Sequence, residues 1–114
     1  MRTVDVSEVT RNIKEMCIEA NYFLSEDMKE AMKRAADTEK APLGRKILGQ
    51  LQENMDIAGE DWIPICQDTG MAVIFMEIGQ DVHFEGGFLE DAVNEGVRQG
   101  YAEGFLRKSV VHDP

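Results

Sequence analysis

The chain has 114 residues, 43% of them hydrophobic and 30% charged, a composition that fits one globular domain around a single core. No apolar run reaches the roughly 18 to 20 residues of a membrane span, and the polar, periodic start at Met1 is no secretory signal, so the cytoplasm is the expected location. The net charge of −10 is concentrated in residues 61–114, which carry 10 acids and 3 bases; this disfavours phosphate-backbone binding and leaves few cations for an anionic substrate.

In chain order, Ser7 is placed to cap a first helix whose Val9, Ile13, Met16 or Cys17, and Ala20 recur at helical spacing. Ser25 opens a second, "EDMKEAMKRAADTEK", with acids in its first turn and Met28, Met32 and Ala35 on one face. Pro42 suits the first turn of a third, with Leu43, Ile47, Leu51 and Met55 as its apolar face and Gly59 as its expected terminator. The methionines read as core filler.

The texture changes at Trp62. Pro64 disfavours helix at Ile63, and after Gly70 the run "MAVIFMEI" reads as a strand buried on both faces. "GQDVHFEGG" follows as a turn and a short extended piece. A fourth helix is expected from Phe88 to Phe105, with Leu89, Ala92 or Val93, Gly96 or Val97, Gly100 and Phe105 facing inward. Glycines at 96, 100 and 104 cost a helix about 1 kcal/mol each relative to alanine, which implies close packing against another element. Ser109 to Val111 begins another extended segment. A single buried strand needs ladder partners. They are expected from another chain or from a longer sequence.

Two cysteines, Cys17 and Cys66, carry no C-x-x-C or zinc-ligand spacing, and without a secretory signal no disulfide is expected. Cys17 lies beside the first helix's apolar stripe and reads as a small buried hydrophobe. His83 and His112 read as surface or core histidines. Cys66 opens "CQDTG", which crowds a thiol, an amide, a carboxylate and a hydroxyl into one loop. Asp68-Thr69-Gly70 matches the aspartic-protease triplet, but those enzymes are all-β and this chain is dominated by helices. A generic turn, with Asp68 and Thr69 bonding nearby amides and Gly70 supplying positive φ, accounts for the residues singly.

The whole stretch "PICQDTG", followed by an apolar strand, resembles the cluster-cysteine motif of the class I fumarate hydratase family, which includes the L-tartrate dehydratase alpha subunits. "KAPLGRKILGQLQEN" and "AVNEGVRQGYAEGFLRKSVV" extend the resemblance over nearly all 114 residues, as the N-terminal portion of an alpha-type subunit or domain. The resemblance implies a hydro-lyase that dehydrates a small hydroxy-dicarboxylate such as malate and holds a [4Fe–4S] cluster through three thiolates, its open iron acting as a Lewis acid. It implies Cys66 as one cluster ligand, Gln67 and Asp68 in the substrate pocket with Asp68 also in proton transfer, and Arg107 as the clamp on a substrate carboxylate. Thr69 and Gly70 are expected to serve loop geometry.

Family alpha subunits are more than twice this long and carry two further cluster cysteines downstream. Three thiolates therefore cannot come from this chain alone, and the remaining alpha-type region, a beta-type subunit or domain and an oligomeric assembly are the implied partners. The expected architecture is a single α+β domain over residues 1–114, helical at first, then cluster loop, buried strand and long helix. The rival reading is a non-catalytic relative that keeps the fold and docks on a partner subunit.

Overall fold

The computed structural model describes residues 1–66 and 70–110. It is α+β and mostly helical: β1 (Arg2–Asp5), α1 (Val6–Tyr22), α2 (Glu26–Thr38), α3 (Pro42–Asp61), β2 (Val82–Glu85) and α4 (Leu89–Glu103). The four helices stand where the periodicity put them. Helix α1 starts one residue before Ser7 and is capped by Asp5, whose Oδ1 accepts the Ser7 N–H at 2.8 Å. Ser7 is thus the partner of the cap and not the cap. Asp5 ends β1, so one residue closes a strand and opens a helix.

The body of the molecule is the α1–α4 pair. Gly96, Gly100 and Gly104 form the contact ridge of α4. A methyl group on Gly96 would lie 2.6 Å from Ile13 Cβ and 2.7 Å from the Thr10 carbonyl, and one on Gly100 would lie 2.9 Å from Cys17 Cβ. Bare backbone at these three positions lets the helices approach, which offsets the propensity cost of the glycines. Polar bonds fasten the pair: the Thr10 hydroxyl donates to the Ala92 carbonyl at 2.9 Å, and the Tyr22 hydroxyl to the Gly104 carbonyl at 2.7 Å. Ile13, Cys17, Tyr22, Tyr101 and Leu106 make the buried core, with Val9, Ile18, Ala72, Ile74 and Val97 packed around it. Phe105, expected to face inward, is 82% exposed, and Leu106 takes the buried place.

The sheet is a two-stranded parallel ladder, Arg2 opposite Val82 through Asp5 opposite Glu85. The second of these strands matches the expected short extended piece, and the first is not among the elements expected from the sequence. The expected strand over Met71–Ile78 is not formed as a strand buried on both faces. It carries no helix or strand and lies outside any ladder among the described residues. Ala72 and Ile74 pack on the core while Val73 and Phe75 point away, 68% and 94% exposed. An unbroken apolar run reports that both faces seek cover, and here only the inner face finds it.

Helices α2 and α3 form a hairpin that leaves the body. Helix α2 buries no residue and α3 only Ala58. Pro42 sits in the first turn of α3 as expected, but the helix runs past Gly59 and ends at Trp62, in the left-handed region with φ 54°. The hairpin gives the chain a radius of gyration of 18.0 Å, against about 13 Å for a compact domain of this length. Leu43, Ile47 and Leu51, the expected apolar face of α3, are all exposed.

Candidate functional site

The loop that carries Cys66 leaves α3 through a fixed turn. The Ile63 N–H donates back to the Ala58 carbonyl at 3.2 Å, a six-to-one bond around left-handed Trp62. The Trp62 ring meets Tyr22 and Phe23 edge-on, with centroids 5.9 and 5.8 Å apart. Ile65 is then held from both sides. Its N–H donates to the Asn21 carbonyl at 2.8 Å, and its carbonyl accepts the Asn54 Nδ2 at 2.8 Å. The residue immediately before Cys66 is therefore tied to the end of α1 and to the middle of α3.

Cys66 emerges from this anchor exposed, whereas Cys17 is buried between α1 and α4. Burial pushes the Cys17 thiol above its ordinary range, which disfavours the thiolate a metal requires. The two cysteines thus separate as expected, one packed in the core and one presented in a loop. Gln67, Asp68 and Thr69 lie outside the described residues.

On the far side of the loop the chain returns from α4. This helix also ends around a left-handed aromatic, Phe105 (φ 56°), with the Leu106 N–H donating to the Tyr101 carbonyl at 3.1 Å. Arg107 follows, exposed, and Ser109 packs directly on Gly70. A methyl group on Gly70 would lie 2.6 Å from Ser109 Cβ. The fold therefore brings the end of the "CQDTG" loop against the "LRKS" exit. His83, on β2 and exposed, belongs to neither stretch.

No group of three His, Cys, Asp or Glu side chains able to hold a metal ion occurs among the described residues. Cys66 alone fits one thiolate position of a cluster, so the described residues do not close such a site by themselves. A cleft of about 440 Å³ between α1 and Met71–Phe75 is lined by Ile13, Met16, Cys17, Ala20 and Tyr101 among others and by no cationic side chain. It is unsuited to a dicarboxylate.

The sequence model of the fumarate hydratase (Fumerase) family matches residues 10–114. The chain belongs to this family. It is 35% identical over 101 residues to a Methanocaldococcus jannaschii protein provisionally named L(+)-tartrate dehydratase subunit alpha, which covers 88% of this chain and 35% of that protein. It is 40% identical over 73 residues to the aerobic class I fumarate hydratase of Escherichia coli K12, covering 64% of this chain and 13% of that enzyme. A third relative, the aerobic class I fumarate hydratase of Salmonella typhimurium, is 45% identical over 60 residues, 53% of this chain and 10% of the enzyme. The chain thus spans about a third or less of the length of these curated relatives, whose names are those of hydro-lyases.

The residues that hold the loop, Asn21, Asn54 and Ser109, are not among the site residues expected from the sequence. Each acts through a contact across the fold, which no local sequence pattern announces.

Proposed function

We propose that residues 1–114 form the N-terminal portion of a fumarase alpha-type subunit, and that the Cys66 loop and the Arg107 segment are one side of a [4Fe–4S] hydro-lyase site for a small hydroxy-dicarboxylate. The observation that supports this reading is the contact of Gly70, the last residue of the motif, with Ser109, two residues after Arg107.

In this reading Cys66 supplies one thiolate, and the other two come from the remaining alpha-type region. When bound, the cluster supplies a Lewis-acidic iron at the substrate's hydroxyl and carboxylate oxygens. Gln67 donates or accepts a hydrogen bond at the substrate carboxylate or hydroxyl. Asp68 exchanges a proton on the leaving-hydroxyl side. Arg107 offers two parallel N–H donors to the distal carboxylate, a geometry that a lysine cannot reproduce. Its charge counts for more here because residues 61–114 hold only two other cations, Arg98 and Lys108. Arg98 is engaged with Glu95 at 2.5 and 2.7 Å.

A beta-type subunit or domain is the further partner, in an oligomeric, cytoplasmic assembly. No helix among the described residues is long and apolar enough to cross a membrane.

The test is anaerobic reconstitution of iron and sulfide into the assembly that contains this chain and the regions completing it. Hydration of fumarate and dehydration of malate and tartrate are then assayed beside the cluster absorbance. Wild type gains both signals, and Cys66→Ala loses both. A Cys66→Ala protein that kept its cluster and its turnover would sink the assignment.

A further inference from the structure

Asn54 stands in the interior of α3, exposed, at a position where alanine or glutamine has the better helix propensity. Its amide is turned to the returning chain, Nδ2 donating to the Ile65 carbonyl at 2.8 Å. Ala58, one turn further along the same face, is 2% exposed and accepts the Ile63 N–H at 3.2 Å. The stretch from Ile63 to Ile65 therefore runs back along the Asn54–Ala58 face of α3. The Ile65 carbonyl and the Cys66 N–H belong to one planar trans peptide unit and point in opposite directions. Fixing that carbonyl on Asn54 fixes the plane from which the Cys66 side chain departs, and it turns the Cys66 N–H away from α3. The Ile65 N–H is held separately by the Asn21 carbonyl at 2.8 Å, and the Asn21 Nδ2 donates to the Cys17 carbonyl at 2.7 Å. Loss of the Asn54 amide thus loosens the peptide before Cys66 while the loop stays tied to α1.

We propose that Asn54 is a positioning residue for Cys66, holding the peptide before it in the orientation from which the thiolate meets the cluster. The inference rests on the reading of Cys66 as a cluster ligand. Asn54 acts through Ile65 and not by contact with iron or substrate. A ligand oriented in advance loses less freedom when the metal binds, and groups that orient metal ligands are typically worth about 10- to 100-fold in affinity or activity. The Asn54 bond is open to water, which puts the expected effect at the lower end of that range.

Asn54→Ala, Asn54→Asp and Asn54→Gln in the reconstituted assembly separate this role from a merely structural one. A role in α3 stability alone would leave the cluster held at least as firmly in the alanine and glutamine variants, whose helix propensities are higher. Positioning demands an amide donor, which alanine lacks and an ionised carboxylate cannot supply. The rate at which an iron chelator bleaches the cluster is therefore expected to rise about tenfold in Asn54→Ala and Asn54→Asp, with partial recovery in Asn54→Gln. In the cluster-free assembly, hydrogen exchange at the Ile65 and Cys66 amides is expected to quicken about fivefold in Asn54→Ala, the scale of one exposed hydrogen bond. Wild-type bleaching or wild-type exchange in Asn54→Ala overturns the proposal, as does an Asn54→Gln variant no better than Asn54→Ala. Cys66→Ala in the same assembly keeps the two readings apart. A cluster retained without Cys66 sinks the ligand assignment itself, whereas a cluster lost without Cys66 and indifferent to Asn54→Ala removes only the positioning role.

Discussion

Gly70 and Ser109 touch where no side chain on residue 70 fits: an added Cβ would lie 2.6 Å from Ser109 Cβ and 3.1 Å from its hydroxyl. The end of the stretch that begins at Cys66 thus touches the segment that follows Arg107. Gly70→Ala is expected to push them apart. In the assembled enzyme the substitution should lower kcat/KM at least tenfold with little loss of Tm, because both segments are at the surface and not in the core. Ser109→Gly in the same background makes room and should recover much of the loss. An unchanged kcat/KM in Gly70→Ala would separate the two segments functionally.

Arg107→Ala is expected to weaken dicarboxylate binding by about 2 kcal/mol or more, the scale of a charge-assisted bond, and to appear mainly in KM. Arg107→Lys should recover only part of it, since a point charge does not replace the fork. Steady-state kinetics with malate checks both, and equal KM values would remove Arg107 from the site.

The glycines of two helices should respond in opposite directions. Gly49 on α3 has nothing within 4 Å of an added Cβ, so Gly49→Ala should stabilise by about 1 kcal/mol. Gly96→Ala gains the same propensity but drives a methyl group into Ile13 and the Thr10 carbonyl. It should destabilise by roughly 1 to 3 kcal/mol net, through separation of α1 from α4. Urea denaturation of the two variants measures the contrast.

Phe105 holds a left-handed conformation that costs about 1 to 2 kcal/mol and buries little in return. Phe105→Gly should therefore stabilise by roughly 0.5 to 1 kcal/mol after the entropy cost of glycine. Trp62 shares the conformation but stacks edge-on against two rings, and Trp62→Gly should destabilise. Thermal melts distinguish them.

The two thiols should differ in reactivity. Iodoacetamide at pH 8 is expected to modify exposed Cys66 and to spare buried Cys17 until the chain unfolds. Because burial raises the folded-state pKa of Cys17, its contribution to stability is fully present below the unfolded value. It is lost as pH rises past about 8.5 and through the folded pKa, so Cys17→Ala should flatten the alkaline limb of the stability curve. Mass spectrometry of the labelled chain and melts from pH 7 to about 10 check the two halves of this claim.

Periodicity alone placed the helices, because an amphipathic stripe at 3.6 residues per turn is written locally and needs no knowledge of the partner. The glycine spacing of α4 even announced a close neighbour, though not that it would be α1. The run after Gly70 was misread for the complementary reason. Its apolar residues state a demand for cover on two faces, but supply is a tertiary fact, and only Ala72 and Ile74 are met. Strand β1 was invisible because its four residues acquire meaning only through Val82–Glu85, some eighty positions away.

The sequence by itself determined the helices, the family and the motif that names the chemistry, since each is a property of neighbouring residues. Only the tertiary structure decided what pins the loop and that Gly70 meets Ser109. Those depend on where the close approach of α1 and α4 sends the chain, and no local pattern encodes the meeting of two distant segments.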